Sequence, residues 1–183
     1  QLRQNLRAIQ KRLNVTAILV THDQEEAFEL ADRIGIIDKG RLLEIGTPDQ
    51  LYRHPNHRFT ATFLGNANLF NAQRNGTHIY IGDKQIPAPP NTEAFAGKPV
   101  QMMFRPEEVV ISPLSANLNG NLFSEGIIES IAFAGALERV AIKLASGEVI
   151  QALLSPDVTR SMNLRPGDGV NISLKNFHLL PVE

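Results

Sequence analysis

The sequence predicts a chain of two parts, an α/β segment over residues 1–64 and an all-β module over residues 65–183. In the first part, apolar residues recur with a helical spacing and then with strand-like runs. Only two of the 11 prolines, Pro48 and Pro55, lie there, whereas the second part is a series of short alternating segments separated by turn residues. These observations place the boundary near Leu64.

The first predicted element is a helix at the start of the chain. Its apolar residues recur at alternating spacings of four and three, which puts them on one side of a helix. They are Leu2, Leu6, Ile9 and Leu13.

A buried strand, a polar corner and a second helix come next. The apolar run from Ile18 to Val20 is typical of a strand that is buried on both faces. Thr21 and Asp23 are both candidates for the N-cap of the helix. The acidic residues that suit its early turns are Glu25, Glu26 and Glu29, and the residues that keep one helical face are Ala27, Leu30, Ala31 and Ile34.

The corner between this strand and this helix carries His22. Open α/β sheets bind ligands at that edge, and helix N-termini favour phosphate. A neutral imidazole can donate one hydrogen bond to a phosphate oxygen while its other nitrogen accepts. From the residues alone, His22 is able to contact a phosphate, but a histidine in such a corner more often caps the helix or faces solvent.

The second part reads as a set of short strands joined by tight turns. Val140, Ile142 and Leu144 alternate with more polar residues, as expected of a sheet with one buried face. Residues 87–97 form a predicted loop. The predicted strands are the hairpin Ile79 to Ile86 with Gly82-Asp83 at its turn, then Val100 to Phe104, Ile127 to Phe133, Leu137 to Leu144, Glu148 to Leu153, Val170 to Leu174, and an edge at Leu179-Leu180.

The first part resembles the ATP-binding subunits of ABC transporters. Residues 17–27 are similar to the segment of that family that carries its switch histidine, here His22, and this resemblance makes His22 the candidate catalytic residue. Residues 31–48 are similar to the helix end and the hairpin that follow, with Lys39-Gly40 at the turn, and residues 48–52, 54–55 and 59–65 to the stretch that closes the nucleotide-binding domain in importers. The resemblance makes residues 1–64 the C-terminal segment of such a P-loop NTPase domain.

The other motifs of that family are missing from the sequence. It contains no Gly-x-x-x-x-Gly-Lys-Ser/Thr phosphate loop, no glutamine loop, no Leu-Ser-Gly-Gly-type signature, and no strand ending in the Mg²⁺-binding aspartate and catalytic glutamate. The resemblance therefore implies the C-terminal part of a longer subunit, cut after its D-loop. By itself this chain is expected to hold no bound cofactor and no metal, and to hydrolyse no ATP.

The second part resembles the TOBE domain, an OB-like barrel that follows the nucleotide-binding domain in several importers. The similar motifs are Phe104 to Val109 around Arg105-Pro106-Glu107, Gly126 to Gly135, and Pro166-Gly167-Asp168. Gly169 departs from the family, which often has a bulkier residue there. From the residues alone, we expect Pro106 to end a strand, because proline removes a backbone hydrogen-bond donor. We expect Arg105 to fix the corner formed there by pairing with a nearby carboxylate.

The resemblance implies a function for the parent polypeptide. It would be an ABC-type ATPase that uses ATP and Mg²⁺ and couples hydrolysis to solute uptake. Two copies would sandwich two ATP molecules, and the TOBE domain would support dimerisation and regulation. The other partners would be transmembrane permease subunits, which would hold the protein at the cytoplasmic face of the plasma membrane. The motifs lean towards the ferric-iron, sulfate and polyamine branch of importers.

A second hypothesis is a binding module without enzymatic activity. Related barrels bind molybdate-like or sulfate-like oxyanions at subunit interfaces, through backbone amides with serine and lysine side chains, which makes a small regulatory anion a candidate partner of the barrel. Ser124, Ser130, Ser146 and Lys143 are the side chains that would contribute to such a site.

Composition argues against several other classes. Lysine and arginine total 18 against 19 acidic residues, so the net charge of −1 gives no basic footprint for nucleic acid or an anionic membrane. There is no cysteine, which excludes disulfides and thiolate chemistry. The five histidines, His22, His54, His57, His78 and His178, lack metal-ligand spacing. A third option, nucleic-acid binding by an OB-like barrel, therefore has little support.

One further expectation concerns the surface of the first part. With the other motifs of the family absent, apolar surface should stay uncovered beside Ile18 to Val20 and along the apolar stripe of the first helix. We therefore expect the chain to associate with a second copy.

Overall fold

The computed structural model describes residues 2–82, 84–116 and 122–182. Its contacts divide the chain into two units at Gly65–Asn66. The elements of the first unit are α1 (Leu2–Leu13), α2 (Gln24–Leu30), β1 (Ile34–Asp38), β2 (Arg41–Gly46), α3 (Pro48–Arg53) and α4 (Arg58–Phe63). Those of the second are β3 (Asn68–Asn75), β4 (His78–Ile81), β5 (Lys84–Pro87), β6 (Pro99–Phe104), β7 (Val109–Pro113), β8 (Ser124–Ala134), β9 (Leu137–Leu144), β10 (Val149–Leu154), α5 (Pro156–Ser161), β11 (Gly169–Leu174) and β12 (His178–Pro181), with 3-10 turns at Glu93–Phe95 and Pro106–Glu108.

The first unit is built around a small apolar cluster. Its buried members are Ile34, Ile36, Leu51 and Leu64, against which Ala27, Phe28, Ala31, Tyr52 and Phe59 pack. The ring of Phe28 on α2 meets the ring of Tyr52 on α3 edge to face, with centroids 6.0 Å apart. Helix α2 is therefore anchored by its apolar side to the β1–β2 hairpin and to α3.

The β1–β2 hairpin confirms the predicted turn at Lys39-Gly40. Both residues have positive φ, 48° and 77°, and Asp38 pairs with Arg41. Two positive φ values in a two-residue loop match the right-handed twist of the strands. The helical face predicted through Ile34 was too long, because Ala31 is the C-cap of α2 and Ile34 opens β1, where it is buried.

The strand predicted at Ile18–Val20 does not form. These residues lie outside any helix or strand, and the side chains of Ile18, Leu19 and Val20 are 91%, 53% and 92% exposed. No described strand pairs with this segment. An apolar run of this kind is stable as a buried strand only when neighbouring strands satisfy its backbone and cover both faces. The P-loop-type α/β sheet is therefore not seen in the described residues, and the strands of the first unit form one two-stranded hairpin.

Three residues of the apolar stripe of α1 also face solvent. Leu6, Ile9 and Leu13 are 54%, 55% and 61% exposed, whereas Arg3 and Arg7 point towards α2. The helix itself was predicted correctly, and so was the uncovered apolar surface. Nothing described packs over the stripe to bury it.

The second unit consists of two five-stranded antiparallel sheets that share one core. Their strand orders are β10-β9-β8-β11-β7 and β12-β6-β3-β4-β5. Both inner faces contribute buried side chains to a single cluster. The largest fully buried members of this cluster are Phe104, Ile79, Met102, Ile128, Ile142, Ile150, Ile172, Leu179 and Val100.

Most of the predicted strands are confirmed. Strand β9 has the predicted bounds, and its alternation of buried Val140, Ile142 and Leu144 with more exposed residues is the predicted one. The β4–β5 hairpin pairs Ile81 with Lys84, with Gly82 at φ 56°, while Asp83 lies outside the described residues. Strands β3 and β7 and helix α5 were not predicted.

Polar side chains tie the two sheets together at one end. The side-chain amide of Asn68 on β3 donates to the carbonyl of Gln151 on β10 at 2.9 Å and accepts from the amide of the same residue at 2.8 Å. Arg105 is 3% exposed and donates to the carbonyl of Asn66 at 3.1 Å. Arg105 thus bonds a backbone carbonyl at this corner, and the carboxylate partner expected from the sequence stays a prediction.

The turn at Pro166-Gly167-Asp168 packs against the middle of β8. Gly167 donates to the carbonyl of Ile128 at 2.7 Å, and Ile128 donates to the carbonyl of Asp168 at 2.9 Å. At Gly169 an added Cβ would lie 2.7 Å from a methyl carbon of Leu114, so glycine fits this position without displacing that side chain.

We expect the replacement Gly126→Ala to destabilise the second unit. The new Cβ would lie 2.7 Å from Ile142 Cγ2 and 2.9 Å from the carbonyl oxygen of Lys143, and the latter belongs to a paired strand that cannot move freely. Overpacking of this kind costs about 1–3 kcal/mol. The control is Ser130→Ala on the exposed face of the same strand. Equal unfolding midpoints for the two variants in urea would contradict the expected close packing.

We expect the chain to self-associate through Ile18–Val20. Covering a side chain of this size contributes about 1.5–3 kcal/mol, so Ile18→Lys with Val20→Lys should weaken association at least about tenfold in sedimentation experiments. Val182→Lys is the control, since Val182 is half exposed in the second unit. A monodisperse monomer of the unmodified chain at high concentration would contradict this expectation.

Candidate functional site

The corner that carries His22 is held by short-range hydrogen bonds. The Thr21 hydroxyl oxygen accepts from the amide of Asp23 at 3.0 Å, and Asp23 Oδ1 accepts from the amide of Glu26 at 3.0 Å. Of the two N-cap candidates, Asp23 is the one that caps α2. Thr21 instead fixes the turn before the cap, a role that suits the short hydroxyl side chain.

The His22 side chain projects from this corner into solvent. The residue is exposed, and its ring makes no hydrogen bond to any described residue. Both ring nitrogens are therefore open to a ligand, so the chemistry predicted for His22, a hydrogen bond to a phosphate oxygen, is sterically allowed. No phosphate-binding loop lies beside it among the residues that the structure describes. The remaining ligands of a nucleotide would have to come from residues outside those described.

The charge of Asp23 is stabilised by its surroundings. The hydrogen bond from the amide of Glu26 is the main factor that lowers the pKa of the Asp23 carboxyl below its ordinary value of 3.8, and Arg3, the amide of Glu25 and His22 act in the same direction. Arg3 Nη2 lies 3.0 Å from Asp23 Oδ2. The residue next to His22 is thus an ionised carboxylate that is bonded on both of its oxygens.

Two arginines of α1 form the side of this site that sequence reasoning missed. Arg3 lies 3.7 Å from Glu25 and 3.6 Å from Glu29 in addition to its contact with Asp23. Arg7 donates to Asp32 at 3.0 Å. From the sequence, the acidic residues of α2 are explained only by their favourable interaction with the helix dipole. Arg3 and Arg7 are four positions apart and therefore lie on the same face of α1. A basic pair of this kind could have indicated a contact between α1 and the acidic residues of α2.

The four side chains proposed for an oxyanion site do not converge within the chain. Ser124 is 5% exposed, and its hydroxyl oxygen accepts from Lys84 Nζ at 2.9 Å. Lys143 pairs with Ile127 on the exposed face of the β8–β9 ladder, and Ser130 is exposed beyond the bulge of β8. Ser146 lies in the β9–β10 turn. Since residues on opposite faces of a strand cannot reach one ligand, one copy of this chain does not form that site.

No group of three histidine or acidic side chains in the described ranges is arranged to hold a metal ion. Among those same residues, no helix is both long and apolar enough to cross a membrane.

Comparison with known proteins identifies the second unit. Residues 102–180 match the TOBE domain family. A solved structure of the cytoplasmic molybdate-binding protein ModG, with molybdate bound, superposes with a TM-score of 0.54 at 18% identity, covering 63% of this chain and 96% of that chain. At this identity the likeness shows the fold, which is OB-like.

Relatives align over most of the chain. It is 34% identical over 180 residues to the sulfate/thiosulfate import ATP-binding protein CysA 2 of Chromobacterium violaceum, covering 95% of this chain and 47% of that protein. It is 32% identical over 161 residues to the Fe(3+) ions import ATP-binding protein FbpC of Photorhabdus laumondii, covering 86% and 44%. It is 38% identical over 137 residues to the spermidine/putrescine import ATP-binding protein PotA of Pseudomonas fluorescens, covering 71% and 36%. The chain spans about half the length, or less, of these relatives.

We expect Asp23 to titrate below its ordinary pKa of 3.8 when its carboxyl is followed by NMR. Because the folded-state pKa is lowered, the stability that this carboxylate gives to α2 is present above the unfolded-state pKa and is lost as the pH falls through the folded-state value. The change Arg3→Gln should raise the Asp23 midpoint, whereas Arg12→Gln on the exposed side of α1 should leave it unchanged. An Asp23 midpoint at or above 3.8 in the unmodified chain would contradict the described cap.

Proposed function

Since this chain contains a TOBE domain and is a relative of ABC importer ATP-binding subunits, we propose that it is the C-terminal part of the ATP-hydrolysing subunit of an ABC importer. The observation that carries the proposal is the 34% identity to an import ATP-binding protein over 95% of the chain. The parent subunit would couple ATP binding and hydrolysis to the uptake of a solute. Residues 1–64 are then the end of its nucleotide-binding domain, and residues 65–183 are a domain for dimerisation and regulation.

Within this proposal His22 is the catalytic residue that the chain contributes. Its exposed ring at the start of α2 is free to bond a terminal phosphate oxygen of ATP and to help hold the attacking water. A hydrogen bond to a charged group contributes about 1.5–3 kcal/mol, which corresponds to roughly tenfold to more than a hundredfold in rate if it is made only in the transition state. The glutamate that would act as base, and the residues that would bind Mg²⁺, are not in this sequence.

The chain alone should be inactive. Its sequence has no phosphate loop, so no backbone cradle and no lysine are available for the β- and γ-phosphates. ATP and Mg²⁺ are therefore substrates and cofactors of the parent protein only. Bound to its permease subunits, the parent would lie at the cytoplasmic face of the plasma membrane. A second copy of the same subunit would complete the nucleotide sites.

The alternative function, an oxyanion-binding barrel without enzymatic activity, has less support. The likeness to the molybdate-binding protein shows the fold alone, at 18% identity. Ser124 is committed to Lys84 on the inner side of the barrel, and the other three candidate side chains lie elsewhere. We do not propose this function for the chain.

The test is ATP turnover by the gene's full-length product, by its His22→Ala variant and by this 183-residue chain. We expect turnover by the full-length product, a loss of roughly tenfold to a hundredfold or more in the variant, and none in the chain. The control His78→Ala removes a histidine whose side chain contacts Thr77 in the barrel, and it should keep full activity. If the full-length product has neither turnover nor a phosphate loop, the importer proposal fails.

A further inference from the structure

Arg3 of helix α1 holds three carboxylates of the segment that follows His22. Its Nη2 atom lies 3.0 Å from Asp23 Oδ2, and its Nη1 atom lies 3.7 Å from Glu25 Oε2 and 3.6 Å from Glu29 Oε2. A guanidinium group presents its donors in a fixed planar fork, so these contacts fix a direction as well as a distance. Lysine, with a single flexible ammonium, cannot reproduce all of them at once.

Asp23 transmits this contact to the catalytic corner. One of its carboxylate oxygens caps α2 by accepting from the amide of Glu26, and the other accepts from Arg3 at 3.0 Å. The backbone amide of Asp23 is in turn bonded to Thr21, which precedes His22. A shift of Arg3 relative to α2 would therefore pull on a three-residue turn whose middle residue is His22.

A second arginine links α1 to the C-terminal end of α2. Arg7, one turn after Arg3, donates to the carbonyl of Glu29 at 2.7 Å and to Asp32 Oδ1 at 3.0 Å, at the far end of α2. Helix α1 thus contacts both ends of α2 through charged groups. Its other neighbours do not fix its position, because its apolar stripe faces solvent in the described residues.

These ion pairs are poorly suited to a purely stabilising role. The side chains of Arg3 and Asp23 are 35% and 45% exposed, and ion pairs of this exposure contribute little to stability because water and salt screen them. The folding of α2 relies instead on its opposite side, where Ala27 and Phe28 pack on the cluster around Ile34 and Leu51. What the Arg3 contacts determine is where the His22 corner lies relative to α1.

We propose that Arg3 is a positioning residue for His22, which sets the place of the imidazole through Asp23 and links it to helix α1. The inference rests on the proposed function, because it gives Arg3 a role in the same ATPase reaction. Misplacement of a catalytic group by about 1 Å is enough to cost up to about a hundredfold in rate. The loss of the Arg3 fork should therefore appear in kcat, with little change in the KM for ATP.

The experiment measures kcat and KM of the full-length subunit with Arg3→Gln, Arg3→Lys and the control Arg12→Gln. Arg12 is an exposed arginine of the same helix whose replacement removes the same charge. We expect a loss in kcat of roughly tenfold for Arg3→Gln, partial recovery for Arg3→Lys and no effect of Arg12→Gln. Asp23→Asn keeps an N-cap acceptor but removes the ion pair, so it should reproduce the defect of Arg3→Gln.

The decisive readout is the combination of Arg3→Gln with His22→Ala. If Arg3 acts through His22, the double variant should be no slower than His22→Ala alone, a non-additivity that a merely structural role would not produce. Independent losses that multiply, or no effect of Arg3→Gln on kcat, would overturn the inference while leaving the proposed function intact. If His22→Ala itself has no effect on turnover, the role proposed for His22 fails first, so the two failures can be told apart.

Discussion

Burial of two inner sheet faces against each other is the constraint on which the second unit depends. Each five-stranded sheet places alternate residues in one shared core, so every strand has to keep a fixed register with its neighbours. At the edge of this core, polar side chains bond backbone groups and so help to hold the strands in place. The side-chain amide of Asn68 completes the backbone bonds of Gln151 where the sheets meet, and Arg105 bonds a carbonyl that no strand partner reaches. Glycine at position 126 belongs to the same arrangement, because the two neighbouring strands leave no room there for a side chain.

The first unit is organised by a different balance of forces. Its apolar cluster is small and holds the hairpin, α2, α3 and α4, whereas α1 is attached to α2 by charged contacts. Thr47 adds a capping box at the start of α3, where its hydroxyl and the side chain of Gln50 satisfy each other's backbone amides. The result is a corner around His22 whose local turn is held by hydrogen bonds, with apolar packing on one side of α2 and ion pairs on the other.

The parts of the structure that the sequence predicted are those governed by local pattern. The alternation in β9 and the two-residue turns at Lys39-Gly40 and Gly82 are short-range features, and they were located correctly. Strand β3 was missed because Asn68 and Arg74 occupy inward positions of a strand, where an apolar residue is expected. The segment Ile18–Val20 was wrongly assigned to a strand, since its apolar character says nothing about whether partner strands are present. In the candidate site, His22 could be predicted from its neighbours in the sequence and its role stays a prediction. Arg3 could not, because its contact with Asp23 spans 20 positions and depends on how two helices pack.

The segment between α1 and α2, which has no regular secondary structure, has a consequence for the lifetime of the chain in a cell. Proteases bind their substrates as extended strands and need several consecutive residues without backbone partners. Residues 16–20 lie outside any helix or strand, no backbone hydrogen bond is described for them, and their side chains are exposed. Cleavage there would leave α1 attached only through the contacts of Arg3 and Arg7, which salt screens. In cleaved molecules α1 would then dissociate as the ionic strength rises. The segment is therefore a protease-sensitive site, and its resistance to cleavage depends on what covers it.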